Sequence, residues 1–262
     1  MSYSEINSNV ITFTKGKLEV KIYPNREEMG KEAAKNVSDT IQKQLQQHDE
    51  INMIFAAAPS QSDFMKELIS DKFIQWERIN AFHMDEYIGL EKDAPQGFGN
   101  FLKDRIFSKV PFKSVHYING QANDPMKEYE RYSDLMNQYP VDIVCLGIGE
   151  NGHIAFNDPP VADFNDPLLV KVVELEMACR QQQVNEKLFA SIELVPTHAI
   201  TVTIPGLLKA KYMFCMVPAK NKAEAIYHTL NDEISEKCPA TILRTKEDTI
   251  LYLDEESSSL LN

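Results

Sequence analysis

Short apolar, β-branched runs alternate with helical patterns along almost the entire chain, and this alternation limits the fold more than any other feature. "INMIFAAA" (51–58), "VDIVCLGI" (141–148) and "KYMFCMV" (211–217) carry apolar residues on both faces. Such runs belong to parallel strands covered by helices on each side, because a strand with one wet face would alternate. Further strands are predicted at "KLEVKIY", "RINAFHM", "VHYI", "VKVVEL", "AITVTI" and "TILYL". In "KEAAKNVSDTIQKQLQQ", Ala33, Val37, Ile41 and Leu45 form one helical stripe. In "DPMKEYERYSDLMNQY", Asp124 is an N-cap, Pro125 the first helical residue, and Tyr129, Tyr132 and Met136 one face. The expected fold is a three-layer α/β/α domain with a mostly parallel, doubly wound sheet. No repeat, low-complexity block or linker divides residues 1–262, which read as a single domain with 1–15 as an extension. Ligands of such sheets sit beyond the carboxyl ends of the strands, so residues that directly follow strands carry the information.

The 262 residues, 43% of them hydrophobic, suffice for a large core. A formal net charge of −12 argues against non-specific binding to nucleic acid or to an anionic membrane surface. It leaves room for an anionic small molecule held by a local group of lysines and amides. No apolar run approaches the length of a membrane span, and "MSYSEINSNV" has neither the basic region nor the apolar core of a signal. Cys145, Cys179, Cys215 and Cys238 form no C-x-x-C pair and read as buried reduced thiols. The expected location is the cytoplasm.

Gly147, Gly149 and Gly152 fit the G-x-G-x-x-G pattern of dinucleotide-binding loops and follow a strand. That pattern needs a helix opening at the third glycine, whereas here "HIAFNDPP" follows, and Pro159–Pro160 stops any helix within about two turns. Glu174 stands where the acidic partner of that motif would fall. Glu150, Asn151, His153, Asn157 and Asp158 crowd the same loop. That density of acid, base and amide groups suits proton transfer better than cradling a pyrophosphate.

With the loop read in this way, "LGIGENGHIAFNDPP" resembles the signature of the glucosamine-6-phosphate deaminases, also called isomerases. "FHMDEYIGL" resembles the second hallmark of that family, in the right order and spacing. "VPTHAITVTIPGLL", "KNKA" and "CPATILRTKEDTILYLDEE" are also similar, so the resemblance leaves out only the first fifteen or so residues. "HIAFN" favours the amino-sugar branch over the sugar lactonases of the same fold.

The resemblance implies a metal-independent, cofactor-free aldose–ketose isomerase that turns an amino-sugar 6-phosphate into a ketose 6-phosphate and ammonia. Asp85 and Glu86 are adjacent carboxylates; in an extended chain they point to opposite faces, so only one enters a given pocket. The resemblance assigns Asp85 as the base that moves a proton between C2 and C1, and Glu86 stays a candidate for substrate contact. His153 would open the sugar ring, a step suited to a group that titrates near working pH. The family holds this histidine between two carboxylates; here those positions are Asn151 and Asp158. Asn151 loses the charge, and Glu150 is the candidate to replace it.

The phosphate region departs further. The family's P-T-G-G-T-P loop is replaced by "AAAPSQSDFMKEL", in which Ser60 and Ser62 offer hydroxyls and Ser62 can cap a helix over 63–68. Asp63 adds negative charge at the mouth of the site. Lys222 aligns with the family's phosphate lysine, and Arg180 or Lys187 with its phosphate arginine. Gln181–Gln183 line a sugar pocket or form helix surface. His83 could help choose the sugar, and His198 reads as structural. Two other classes compete: a sugar-phosphate sensor without catalysis, and a sugar-phosphate lactonase. The expected partner is a small-molecule sugar phosphate; the sequence allows a homo-oligomer and leaves the oligomeric state open.

Overall fold

The computed structural model describes residues 10–261. Its main sheet contains, among these residues, eight strands: β1 (Ile11–Lys15), β2 (Leu18–Tyr23), β3 (Ile51–Phe55), β4 (Ile79–His83), β6 (Ser114–His116), β7 (Ile143–Leu146), β10 (Tyr212–Val217) and β11 (Thr249–Asp254). They lie in the order β1-β2-β11-β10-β7-β3-β4-β6. All neighbours pair in parallel except β1 with β2. A second, antiparallel sheet joins β5 (Asp85–Tyr87), β9 (His198–Val202) and β8 (Val170–Glu174), in that spatial order.

The fully buried pattern of β3, β4 and β7 follows from helices on both faces. On one face, Ile51, Met53 and Phe55 of β3 pack with Met29, Ala33, Val37 and Ile41 of α1 (Arg26–Leu45) and with Phe64 and Leu68 of α2 (Ser62–Ser70). On the other, Ile54 and the alternate residues of β7 and β10 pack with Tyr132 and Met136 of α4 (Pro125–Gln138) and Ile226 and Leu230 of α7 (Ala223–Asn231). The expected three-layer α/β/α architecture is therefore present. Asp124 caps α4 through bonds from the Met126 and Lys127 amides, with Pro125 as its first residue.

Two strands escape the sequence pattern. Residues 11–15, expected as part of an extension, form the edge strand β1; residues 1–9 lie outside the described residues. β1 is largely exposed and so shows no core-facing alternation. At Met84 the chain leaves the main sheet, and Asp85 begins β5 of the second one.

From β3 the chain winds outward through β4 to β6, then returns to β7 on the other side of β3 and winds out through β10 and β11. The winding reverses between β3 and β7, where doubly wound sheets open a crevice at the carboxyl ends of their strands. Among the described residues, no helix is long and apolar enough to cross a membrane.

Candidate active site

A cleft occupies that reversal point. The segments after β3 (Ala56, Ala57, Ala58, Ser60), β4 (Met84, Asp85), β7 (Gly147, Ile148, Gly149, His153) and β10 (Lys222) all line it. Gln182, Gln183, Glu186 and Leu188, from α5 (Met177–Asn185) and its C-terminal turn, close the opposite wall.

After Gly152 (φ +83°) no helix opens, so the loop offers no row of helical amides to a pyrophosphate. Gly149 instead returns its amide to the His153 carbonyl (2.9 Å), folding the loop into a cradle for the imidazole. His153 Nδ1 lies 2.7 Å from Asn151 Oδ1 and 2.9 Å from Asp158 Oδ1. Both neighbours are acceptors, so Nδ1 carries a proton that they hold in place. Asp158 is fully buried. Burial alone pushes its carboxyl up, but the charge of His153 and hydrogen bonds from His153, Asn151 and the Glu176 amide outweigh this and hold it below its ordinary value.

Glu150 does not supply the charge missing at Asn151. Its carboxylate accepts from Asn221 Nδ2 (2.8 Å) and it does not line the cleft, because the turn points it away from the ring. A different carboxylate reaches Asn151: Glu176 Oε2 accepts from Asn151 Nδ2 at 2.7 Å. No motif in the sequence marks Glu176.

Asp85 lines the cleft and Glu86, on the other face of β5, does not. The Glu86 carboxylate accepts from the amides of Tyr87 (3.0 Å), Phe98 (3.0 Å) and Gly99 (2.8 Å), at the start of α3 (Phe98–Leu102). Burial first, and the like charge of Glu86 second, raise the Asp85 carboxyl well above its ordinary value. β5 is fixed by its antiparallel register with β9, in which Asp85 faces Thr201. His83 is fully buried behind it and does not touch the cleft. Ile118 N–H donates to its Nε2 (2.9 Å), so Nδ1–H donates to the Asp85 carbonyl (2.9 Å). His83 therefore ties the Ile118 amide to the Asp85 carbonyl.

Among the lining residues Lys222 is the cation, 5% exposed and 3.3 Å from Glu186 Oε1. Gln182 Nε2 donates to the same Glu186 oxygen (2.8 Å), and Gln182 Oε1 accepts from the Glu150 amide (2.8 Å). Tyr87 Oη donates to Gln183 Oε1 (2.8 Å). Gln182 and Gln183 thus belong to the pocket. Arg180 does not: its guanidinium donates to the carbonyls of Ile192 (2.7 Å) and Val195 (2.9 Å), and Lys187 is exposed on the turn beyond α5. His198, as expected, is an exposed residue at the start of β9, hydrogen-bonded to Thr197.

In the loop after β3, Ser60 lines the cleft and Ser62 does not. A 3-10 turn at Pro59–Gln61 runs into α2, which makes Ser62 the first helical residue instead of its cap. Buried Gln61 donates to Met216 O (3.0 Å) and Ser60 Oγ (3.1 Å), so Ser60 accepts from Gln61 and keeps its own hydroxyl proton to donate. Asp63 is paired with Arg26, which also donates to Pro59 O, so its charge is countered outside the cleft.

Among the described residues, one group has donor atoms clustered closely enough for a metal: His153, Asp158 and Cys179, all within 4.8 Å of one another. Burial, with Asp158 nearby, pushes the Cys179 thiol well up, so its sulfur stays protonated beside the carboxylate.

The family model described as glucosamine-6-phosphate isomerases/6-phosphogluconolactonase matches residues 24–252. A glucosamine-6-phosphate deaminase of Exiguobacterium sp. is 36% identical over 74% of this chain and 75% of its own length. One from Bacillus cereus is 39% identical over 70% and 68%. The solved structure of a monomeric glucosamine-6-phosphate deaminase superposes with a TM-score of 0.83 at 31% identity, covering 92% of this chain and 99% of that one. A Thermotoga maritima 6-phosphogluconolactonase shares the fold, with a TM-score of 0.73 at 22% identity over 91% and 100%. The chain belongs to the glucosamine-6-phosphate isomerase/6-phosphogluconolactonase family.

Proposed function

We propose that this protein is an aldose–ketose isomerase and deaminase that converts an amino-sugar 6-phosphate, glucosamine or galactosamine 6-phosphate, to a ketose 6-phosphate and ammonia. One observation carries the reading: Asp85 and His153 line a single cleft from different sheets, one as a buried carboxylate of raised pKa and the other as an imidazole whose Nδ1 proton is tied back.

His153 Nε2 takes the proton of the anomeric hydroxyl and returns one to the ring oxygen, which opens the sugar. Asp85 then removes the proton at C2 and delivers it to C1. A carboxylate is a stronger base when burial raises its pKa, and general base catalysis contributes ~10²–10⁴-fold. Water displaces the nitrogen at C2 as ammonia. The phosphate is held by Lys222, the Ser60 hydroxyl and the amides after β3. The four buried free thiols support a cytoplasmic site of action.

The test is ammonia release from glucosamine 6-phosphate and from galactosamine 6-phosphate without added metal or nucleotide, with Asp85→Asn alongside. Release from one sugar, abolished in the variant, supports the reading and names the substrate. Binding without release from either sugar would favour a sensor.

A further inference from the structure

An asparagine beside a histidine can present either its oxygen or its NH2 to the ring. With the oxygen forward, Nδ1 carries the proton and Nε2 is free to act as a base. With the NH2 forward, the proton moves to Nε2 and the base is lost. A wrong tautomer of this kind costs a serine protease about 10⁴-fold in turnover.

Here Asn151 Oδ1 faces the histidine and accepts from both His153 Nδ1 (2.7 Å) and the His153 amide (3.1 Å). Its NH2 donates to two carboxylates, Asp158 Oδ1 at 3.0 Å and Glu176 Oε2 at 2.7 Å. Both amide hydrogens and both lone pairs are used. Turned by 180°, the side-chain oxygen would meet two carboxylate oxygens while the NH2 met two N–H groups. Glu176 precedes α5, outside the glycine loop, and does not line the cleft.

We propose that Glu176 is a positioning residue that fixes the Asn151 amide and, through it, the tautomer of His153. It adds, at one remove and through Asn151, a second carboxylate to the one that Asp158 places directly on Nδ1. The other groups around the imidazole are Asp158 on its own loop, Cys179 of α5, and Asp85, Glu186 and Lys222 in the cleft. Of these, Asp158 both accepts from Nδ1 (2.9 Å) and holds the Asn151 amide (3.0 Å), so Glu176 acts together with it.

The proposal rests on reading His153 as the ring-opening base, and two variants with two readouts separate it from that reading. Glu176→Gln keeps the shape of the side chain but can donate to a turned Asn151, so one of the two carboxylates that hold the amide oxygen-forward is lost. Expected are a fall in kcat for ammonia release of at least about tenfold with KM within about twofold, and loss of the Nδ1–H tautomer in the ¹⁵N spectrum of His153. Adding Asn151→Asp to Glu176→Gln restores both, because a carboxylate has no donor face. Glu176→Ala, read by the same spectrum, serves if the glutamine variant fails to fold. An unchanged tautomer and kcat in Glu176→Gln, or no rescue in the double variant, overturns the proposal. The spectrum needs no substrate, so a wild-type protein that releases no ammonia sinks the functional reading while Glu176 is still tested.

Discussion

Gly149 packs flat against the imidazole of His153, with no room for a Cβ between them. The glycine is required there by close approach, since its own φ is not in the left-handed region. Gly149→Ala is expected to push the ring out of its cradle and lower ammonia release by about 10²-fold or more, because His153 loses its alignment with Asp158. The main sheet does not depend on this contact, so the variant should melt cooperatively. Near-normal turnover would show that ring opening does not need this imidazole.

Asp85 is a buried carboxylate with no salt bridge among the described residues, which costs stability and serves chemistry. Its raised pKa means that the folded chain holds a proton which the unfolded chain has released. Stability from this group therefore falls as pH rises above the ordinary carboxylate range. Asp85→Asn should abolish turnover, by at least about 10²-fold, and raise the melting temperature at neutral pH. That gain should shrink as the pH is lowered toward the ordinary carboxylate range. The acid limb of kcat/KM in the wild type should also lie above that range, as the base is lost when pH falls through a raised pKa. A limb at the ordinary carboxylate position would mean that another group is the base.

Buried Lys222 and partly buried Glu186 are in contact in the cleft, where we propose the phosphate is held. Removing the cation leaves a dianionic ligand without its main countercharge, so Lys222→Met should raise KM at least about tenfold while kcat changes less. Glu186→Gln removes a competitor for the same ammonium and should lower KM by a few-fold. Opposite signs in the two variants, measured by steady-state kinetics, would establish that the pair tunes phosphate affinity. Equal losses would mean that the carboxylate positions Lys222 instead.

His83 should give the fold an acid weakness unrelated to catalysis. Burial drives its pKa down to about 4, against the partial opposition of its bond to the Asp85 carbonyl. As pH falls from about 6.5 the unfolded chain takes up a proton that the folded one refuses. Stability is therefore lost across the window from 6.5 down to 4, by on the order of 3 kcal/mol. His83→Phe leaves the Asp85 carbonyl and Ile118 amide without a partner, costing about 1–3 kcal/mol each, but should flatten that slope. Melting curves of both proteins at pH 7 and pH 5 decide the matter; parallel slopes would place the acid sensitivity elsewhere.

The layered fold was legible because its core strands are apolar on both faces and its longer helices carry unbroken stripes. β1 was not, since an exposed edge strand has no core to pattern it. Asp85 and His153 could be found because they directly follow strands in recognisable motifs. Arg180 could not be assigned: one helical position decides whether its guanidinium meets a ligand or the carbonyls of Ile192 and Val195. Glu176 was invisible for another reason. Its role exists only in relation to Asn151, 25 residues away, and no local pattern reports such a contact.

The pairing of Asp85 with Thr201 has a meaning for how the molecule reaches its active form. β5 is three residues long, and a one-residue slip against β9 would exchange the two faces of the strand. Glu86 would then enter the cleft while Asp85 was offered to the amides of Phe98 and Gly99. Such a molecule could remain compact and still be inert. The Phe98 and Gly99 amides, which lie outside β5 and bind the Glu86 carboxylate, therefore hold the strand in the one register that leaves Asp85 on the cleft side.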